Sequence, residues 1–204
     1  MSICSPLRFI TLQWLMGLMW ALLTVMSNSP AQDAVDLVQP IRHQVTGLFC
    51  IERVDDLRKS MDKLKAEGGM PDIELVRVDF STAEAVFQYD PAKAFPGATP
   101  EQIIERFDNL LKQASRHTFG IKPLCTTSRE QLTLLEIPVI GLDCKACSLA
   151  AYEAVYKLEG VEQATASFRE GLVTAWIHPE KTDRATLEEA LLNRNVTLKD
   201  RVAQ

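Results

Sequence analysis

Two cysteines separated by two residues, Cys144 and Cys147, are the residues in this chain best placed to do chemistry. They stand in Gly141-Leu142-Asp143-Cys144-Lys145-Ala146-Cys147, after a stretch that reads as a strand and at the start of one with helical spacing. At a helix start the free backbone N–H groups carry partial positive charge, which favours thiolate over thiol. A two-residue gap lets both sulfurs face one point. Thiolates are soft ligands, suited to Cu(I), Zn(II) and similar ions. Gly141 gives the loop room to turn. Asp143 has two readings of equal weight. A carboxylate suits zinc better than Cu(I), because zinc accepts oxygen and fills four positions; Asp143 is equally a cap for the helix that follows. A Cys-x-x-Cys at a helix start also serves thiol–disulfide exchange, although there is no Trp-Cys start and the element order is not that of thioredoxin. A third possibility is a structural module in which the pair is only a disulfide or a spectator. The sequence shows no Ser/His/Asp set, paired carboxylates or phosphate loop, so it supports no hydrolase or transferase, and the chain reads as a binding protein and not an enzyme.

The elements that must position this pair occur twice. Gly47-Leu48-Phe49-Cys50 matches Gly141-Leu142-Asp143-Cys144, and Phe87-Gln88-Tyr89-Asp90-Pro91 matches Ala175-Trp176-Ile177-His178-Pro179. The interval between these points is longer in the first half, which places an insertion near Glu67-Gly68-Gly69-Met70. In the second half, strands are predicted at Leu132 to Ile140, Val161 to Phe168, Leu172 to His178 and Val196 to Val202. Helices are predicted at Cys147 to Leu158, with Ala151, Val155 and Leu158 on one face, and at Asp183 to Asn193, with Leu187, Ala190 and Leu191 on one face. The first half follows suit: strands at Ile41 to Thr46, Ile73 to Phe80, Ala83 to Tyr89 and Phe119 to Leu124, and a helix at Glu52 to Ala66. Its second helix opens on Thr99-Pro100-Glu101-Gln102, a capping box with proline at the first turn, and buries Ile103, Phe107 and Leu110. The fold class is α+β, two tandem ferredoxin-like βαββαβ domains. They span 41–124 and 132–204, with linkers at 32–40 and 125–131. Pro138 would cost a central strand a ladder bond, so that strand is expected to begin effectively at Val139.

In the first half Arg53 occupies the place of the second cysteine. Arginine does not deprotonate and is no ligand. Cys50 is then either an idle buried thiol or a third sulfur for a metal held by the other domain or another chain. A Cys50–Cys125 bridge is disfavoured, because an antiparallel last strand would carry Cys125 about 20 Å away. His178 reads as a solvated strand-end residue, and His43 and His117 lack ligand-like spacing.

Ahead of the repeat lies a targeting segment. Arg8 precedes an apolar run from Phe9 to Met26, and Ser29 and Ala31 suit the positions before a cleavage site. Residues 1–31 are read as a signal peptide, with an uncleaved anchor at 9–26 as the alternative, since about 18 apolar residues approach a bilayer span. The rest of the chain is expected outside the cytoplasm, periplasmic or secreted, and at the membrane only if the segment is uncleaved. Four cysteines beyond that segment are too few for a disulfide scaffold. A net charge of -5 excludes the basic footprint of a nucleic-acid binder.

From roughly Leu132 to Val202 the sequence resembles the heavy-metal-associated domain family, whose pattern Gly-Met-x-Cys-x-x-Cys follows the first strand of a βαββαβ domain. Here Leu142 takes the methionine place. The first half resembles a degenerate copy. The family includes soluble metallochaperones, periplasmic mercury-binding proteins and the N-terminal domains of metal-pumping P-type ATPases. The resemblance implies that Cys144 and Cys147 are ligands for one soft ion (copper, zinc, cadmium or mercury) and that Leu142 is core. Members with aspartate at the place of Asp143 look like the zinc, cadmium and lead group. The partners implied are a metal transporter or another metal-binding domain.

Overall fold

The structure, a computed structural model, describes residues 39–142 and 144–199. The segment read as a targeting sequence, Asp143 and the last five residues lie outside the described residues. No helix among those described is long and apolar enough to cross a membrane.

Each half folds as two strand–helix–strand passes around one sheet. The first contains β1 (Ile41–Thr46), α1 (Arg53–Ala66), β2 (Glu74–Asp79), β3 (Glu84–Gln88), α2 (Pro91–Ala94), α3 (Pro100–Ala114) and β4 (Gly120–Lys122). The second contains β5 (Thr133–Ile140), α4 (Lys145–Tyr156), β6 (Val161–Ser167), β7 (Leu172–Ile177), α5 (Arg184–Leu192) and β8 (Thr197–Leu198). The sheet orders β2-β3-β1-β4 and β6-β7-β5-β8 are the same order repeated, with every pair antiparallel. This is the ferredoxin-like arrangement expected from the repeat.

Local chemistry explains the elements. Helix α1 buries Leu57, Met61 and Leu64, and α3 buries Phe107, Leu111 and Ala114, each at helical spacing. Thr99 caps α3 with Gln102 in a complete capping box, and the Asp183 carboxylate accepts the Thr186 N–H at 2.9 Å to start α5. Strand β7 alternates half-buried and buried residues along its whole length, as a sheet with one covered face requires. The extra residues of the first half lie where expected. Helix α1 has 14 residues against 12 in α4, and the turn after it runs over 67–73 instead of 157–160.

Several expectations need correction. Pro138 lies inside β5, paired with Leu172. The Val139 N–H points to β7, where it donates to the Gly171 carbonyl at 2.8 Å. The nitrogen of Pro138 therefore faces the β8 side, and β8 pairs only with Val139 and Ile140, so no ladder bond is lost. Helix α4 begins at Lys145, two residues before Cys147, because Cys144 itself caps it. Strand β8 has only 2 residues. The one-turn helix α2 was not expected; Asp90 caps it, accepting from Ala92 N–H at 2.9 Å and Lys93 N–H at 3.2 Å. His178 is half-buried and not a freely solvated residue. Its side chain is 18% exposed and lies between Glu162 and Glu180, at 3.8 and 3.4 Å.

The described residues of the two halves belong to one compact unit. Strand β6, at the edge of the second sheet, meets the first domain. A bulge at Glu162 takes its carbonyl out of the ladder, and that oxygen accepts from Lys122 Nζ at 3.0 Å and Gln44 Nε2 at 3.4 Å. Lys122 also pairs with the Glu162 carboxylate at 2.9 Å. The segment 125–131 carries a short 3-10 turn, Arg129–Gln131. Arg129 donates to Gln163 Oε1 at 2.7 Å and to the Ser81 carbonyl at 2.9 Å, with its guanidinium 4.3 Å from the Trp176 ring centroid. This stretch ties the two sheets together.

Candidate metal centre

The loop between β5 and α4 is built around two conformational requirements. Gly141 has φ +87, in the left-handed region that an L side chain resists. Leu142 then turns inward, 4% exposed, and anchors the loop in the core as the sequence implied. Cys144 is extended and caps α4, its sulfur accepting the Cys147 N–H at 3.1 Å. The Cα atoms of Cys144 and Cys147 are 5.2 Å apart and their sulfurs are joined as a disulfide. Cys144 is exposed and Cys147 half-buried. Reduction, which adds two electrons and two protons, would leave two thiols on one face of a helix start, where the first-turn N–H groups favour their ionisation. The donor set is then two soft sulfurs, one on an exposed and one on a half-buried cysteine, which suits a soft ion.

The corresponding loop of the first domain keeps the backbone and loses the chemistry. Gly47 has φ +85, matching Gly141. A Cβ at Gly47 would collide with the Thr118 carbonyl oxygen. Cys50 is 4% exposed. Burial, with Glu52 beside it, pushes its thiol above the usual range, so it stays protonated and is a poor ligand. Arg53 stands where the second cysteine would be. Its guanidinium pairs with Asp56 at 2.6 Å and lies 5.1 Å from the Phe49 ring centroid and 4.8 Å from that of Phe119. Position 53 holds a structural cation.

Among the described residues, no three His, Cys, Asp or Glu side chains converge as a metal-ligand group. Cys50 is therefore not brought into a ligand set with Cys144 and Cys147. Cys125 is also a free thiol, its sulfur 3.5 Å from the Thr127 carbonyl, and no Cys50–Cys125 bridge forms. Asp143, the remaining sequence candidate, lies outside the described residues.

No protein-family model and no curated protein matches the sequence. Solved structures do. The chain is similar to a CopZ metallochaperone at 20% identity, over 32% of this chain and 98% of that one, with a TM-score of 0.32. It is similar to the N-terminal domain of a potential copper-translocating P-type ATPase from Bacillus subtilis, solved Cu(I)-loaded, at 28% identity over 33% and 85%, TM-score 0.32. The N-terminal soluble domains of Bacillus subtilis CopA match at 22% identity over 79% and 92%, TM-score 0.32.

The sequence gives no sign of what surrounds the loop. Phe49 and Cys50 belong to the buried cluster of the second domain, together with Leu142, Ala151 and Tyr152. The Tyr152 hydroxyl accepts the Gly47 N–H at 2.9 Å, and the Phe49 carbonyl accepts the Ala166 N–H at 2.8 Å. Lys145, between the two cysteines, lies 3.7 Å from Asp56, and Arg169 lies 3.0 Å from Glu52.

Proposed function

We propose that the second domain holds one soft metal ion between Cys144 and Cys147, as cargo for transport, transfer or detoxification. The observation that carries this is the placement of both cysteines on the first turn of α4, with Cys144 exposed and the Cα atoms 5.2 Å apart. Two thiolates in an open loop pass an ion by ligand exchange, because a partner's sulfur can enter before either of theirs leaves. The metal is copper, zinc, cadmium or mercury. The partner is a metal transporter or another metal-binding domain. The reading of residues 1–31 as a targeting segment supports a periplasmic or secreted location, or one at the membrane if residues 9–26 stay attached.

The test is anaerobic titration of the reduced protein with Cu(I), Zn(II) and Hg(II), with stoichiometry by mass spectrometry. One tightly bound ion per chain is expected. A second reading is favoured by the Cys144–Cys147 disulfide itself: exchange of that bond with protein thiols. A reduced protein that takes up none of the three ions, yet cycles this disulfide with a dithiol protein, would replace the first reading with the second.

A further inference from the structure

The two loops of the repeat touch the same elements. Gly47, Phe49 and Cys50 of the first domain lie against α4, the helix that begins at the cysteines, and against the edge strand β6. The backbone is held at two points, by Gly47 N–H to the Tyr152 hydroxyl at 2.9 Å and by Ala166 N–H to the Phe49 carbonyl at 2.8 Å. The Phe49 ring is 2% exposed, its centroid 5.8 Å from that of Tyr152, which stacks in turn on Tyr156 at 5.1 Å. Burial pushes the Tyr152 phenol up, so it remains a neutral hydrogen-bonding group. Around the rim, Asp56 faces Lys145 and Glu52 faces Arg169. Arg53 locks the arrangement from the other side, bound to Asp56 and spread across Phe49 and Phe119.

We propose that loop 47–53 is a positioning element for the metal loop, holding the first turns of α4 in place and so governing how fast Cys144 and Cys147 release their ion. This rests on the reading of those cysteines as metal ligands. A two-sulfur site has no further protein ligand to restrain it, so the rigidity of the turn that carries the sulfurs controls their separation. That turn is anchored by Leu142 on one side, and Leu142 shares its buried cluster with Phe49 and Cys50. Groups that orient ligands from behind typically change metal affinity by about 10–100-fold when removed. The degenerate domain is thus a working part of the site.

The test uses the reduced full chain and two interface variants, Tyr152→Phe and Phe49→Ala, with Tyr89→Phe as a control. Tyr89 is buried in the first domain and 3.3 Å from His43, with no part in the loop contacts. Two readouts are taken: release of Cu(I) to a chelator, and amide hydrogen exchange over residues 145–150 without metal. Tyr152→Phe removes one oxygen atom and is expected to speed Cu(I) release about five-fold, the equivalent of one lost hydrogen bond, and to speed exchange in the first turns of α4. Phe49→Ala should do more of both. Tyr89→Phe should lower the thermal midpoint and move neither. Interface variants that keep the native circular dichroism while leaving release and exchange unchanged would overturn the proposal. If Phe49→Ala fails to fold, Tyr152→Phe decides alone. If the wild type takes up none of Cu(I), Zn(II) and Hg(II), the metal-ligand reading fails, and the exchange measurement still decides whether the loop positions α4; if it binds Zn(II) or Hg(II) and not Cu(I), release of that ion is the readout.

Discussion

Replacing Arg53 with cysteine would rebuild Cys-x-x-Cys in the first domain, and it should create no second metal site. The guanidinium makes one charge-assisted hydrogen bond to Asp56 at 2.6 Å, with side chains 13% and 28% exposed. Such a bond contributes about 1.5–3 kcal/mol. The lower end applies here, because Asp56 keeps Lys59 at 3.8 Å and Lys145 at 3.7 Å as partners. Two cation–π contacts, to Phe49 and Phe119, add about 0.5–1 kcal/mol each. The loss is about 2.5–3.5 kcal/mol, which for a folded unit of this size lowers the thermal midpoint by about 5–14 °C. The new thiol would gain little from Cys50, which is buried at 4% exposure and held protonated by its surroundings. Thermal unfolding in reductant and metal stoichiometry by mass spectrometry measure the two effects. An unchanged midpoint would show that the guanidinium contacts contribute nothing. Two ions bound with equal affinity would show that Cys50 is reachable and that the loop is not committed to docking.

Three further outcomes are expected. Cys144→Ser or Cys147→Ser should abolish tight metal binding in a competition titration while costing less than about 1 kcal/mol in the reduced protein, since serine still caps α4; a double variant that binds like wild type would end the metal-ligand reading. Asp143→Ala should weaken Zn(II) binding about ten-fold and leave Cu(I) unchanged if the carboxylate is a ligand, whereas equal effects on both ions, tracking stability, would make it a helix cap. His43 is buried among Phe87, Phe107 and the Tyr89 hydroxyl, and burial lowers its pKa below 6.5. The unfolded chain therefore binds a proton there first, and stability should fall as pH drops below about 6.5. This loss precedes that from Asp79, Asp90 and Glu162, whose lowered pKa values matter only below the ordinary carboxylate range. Chemical denaturation between pH 7 and about pH 5 should show the slope in wild type and not in His43→Gln.

The sequence alone determined the repeated strand–helix order, the capping box of α3, the insertion after the first helix and the Cys144/Cys147 loop. These are local: each follows from side-chain period, turn residues or a cap within a few positions, and neighbouring residues suffice to specify them. Arg53 was likewise legible as a residue that cannot be a metal ligand in any environment. What it does instead was decided only by the tertiary structure. Its rings come from Phe49 and Phe119, and Phe119 is far along the chain. The placement of Pro138 depends on how short β8 is, and the shielding of His178 on a bulge that aims Glu162 across its strand. The seat of Cys50 in the other domain's core is the largest such case. A buried thiol and a free ligand share one residue type, and only the packing of two separately encoded domains determines which of them Cys50 is.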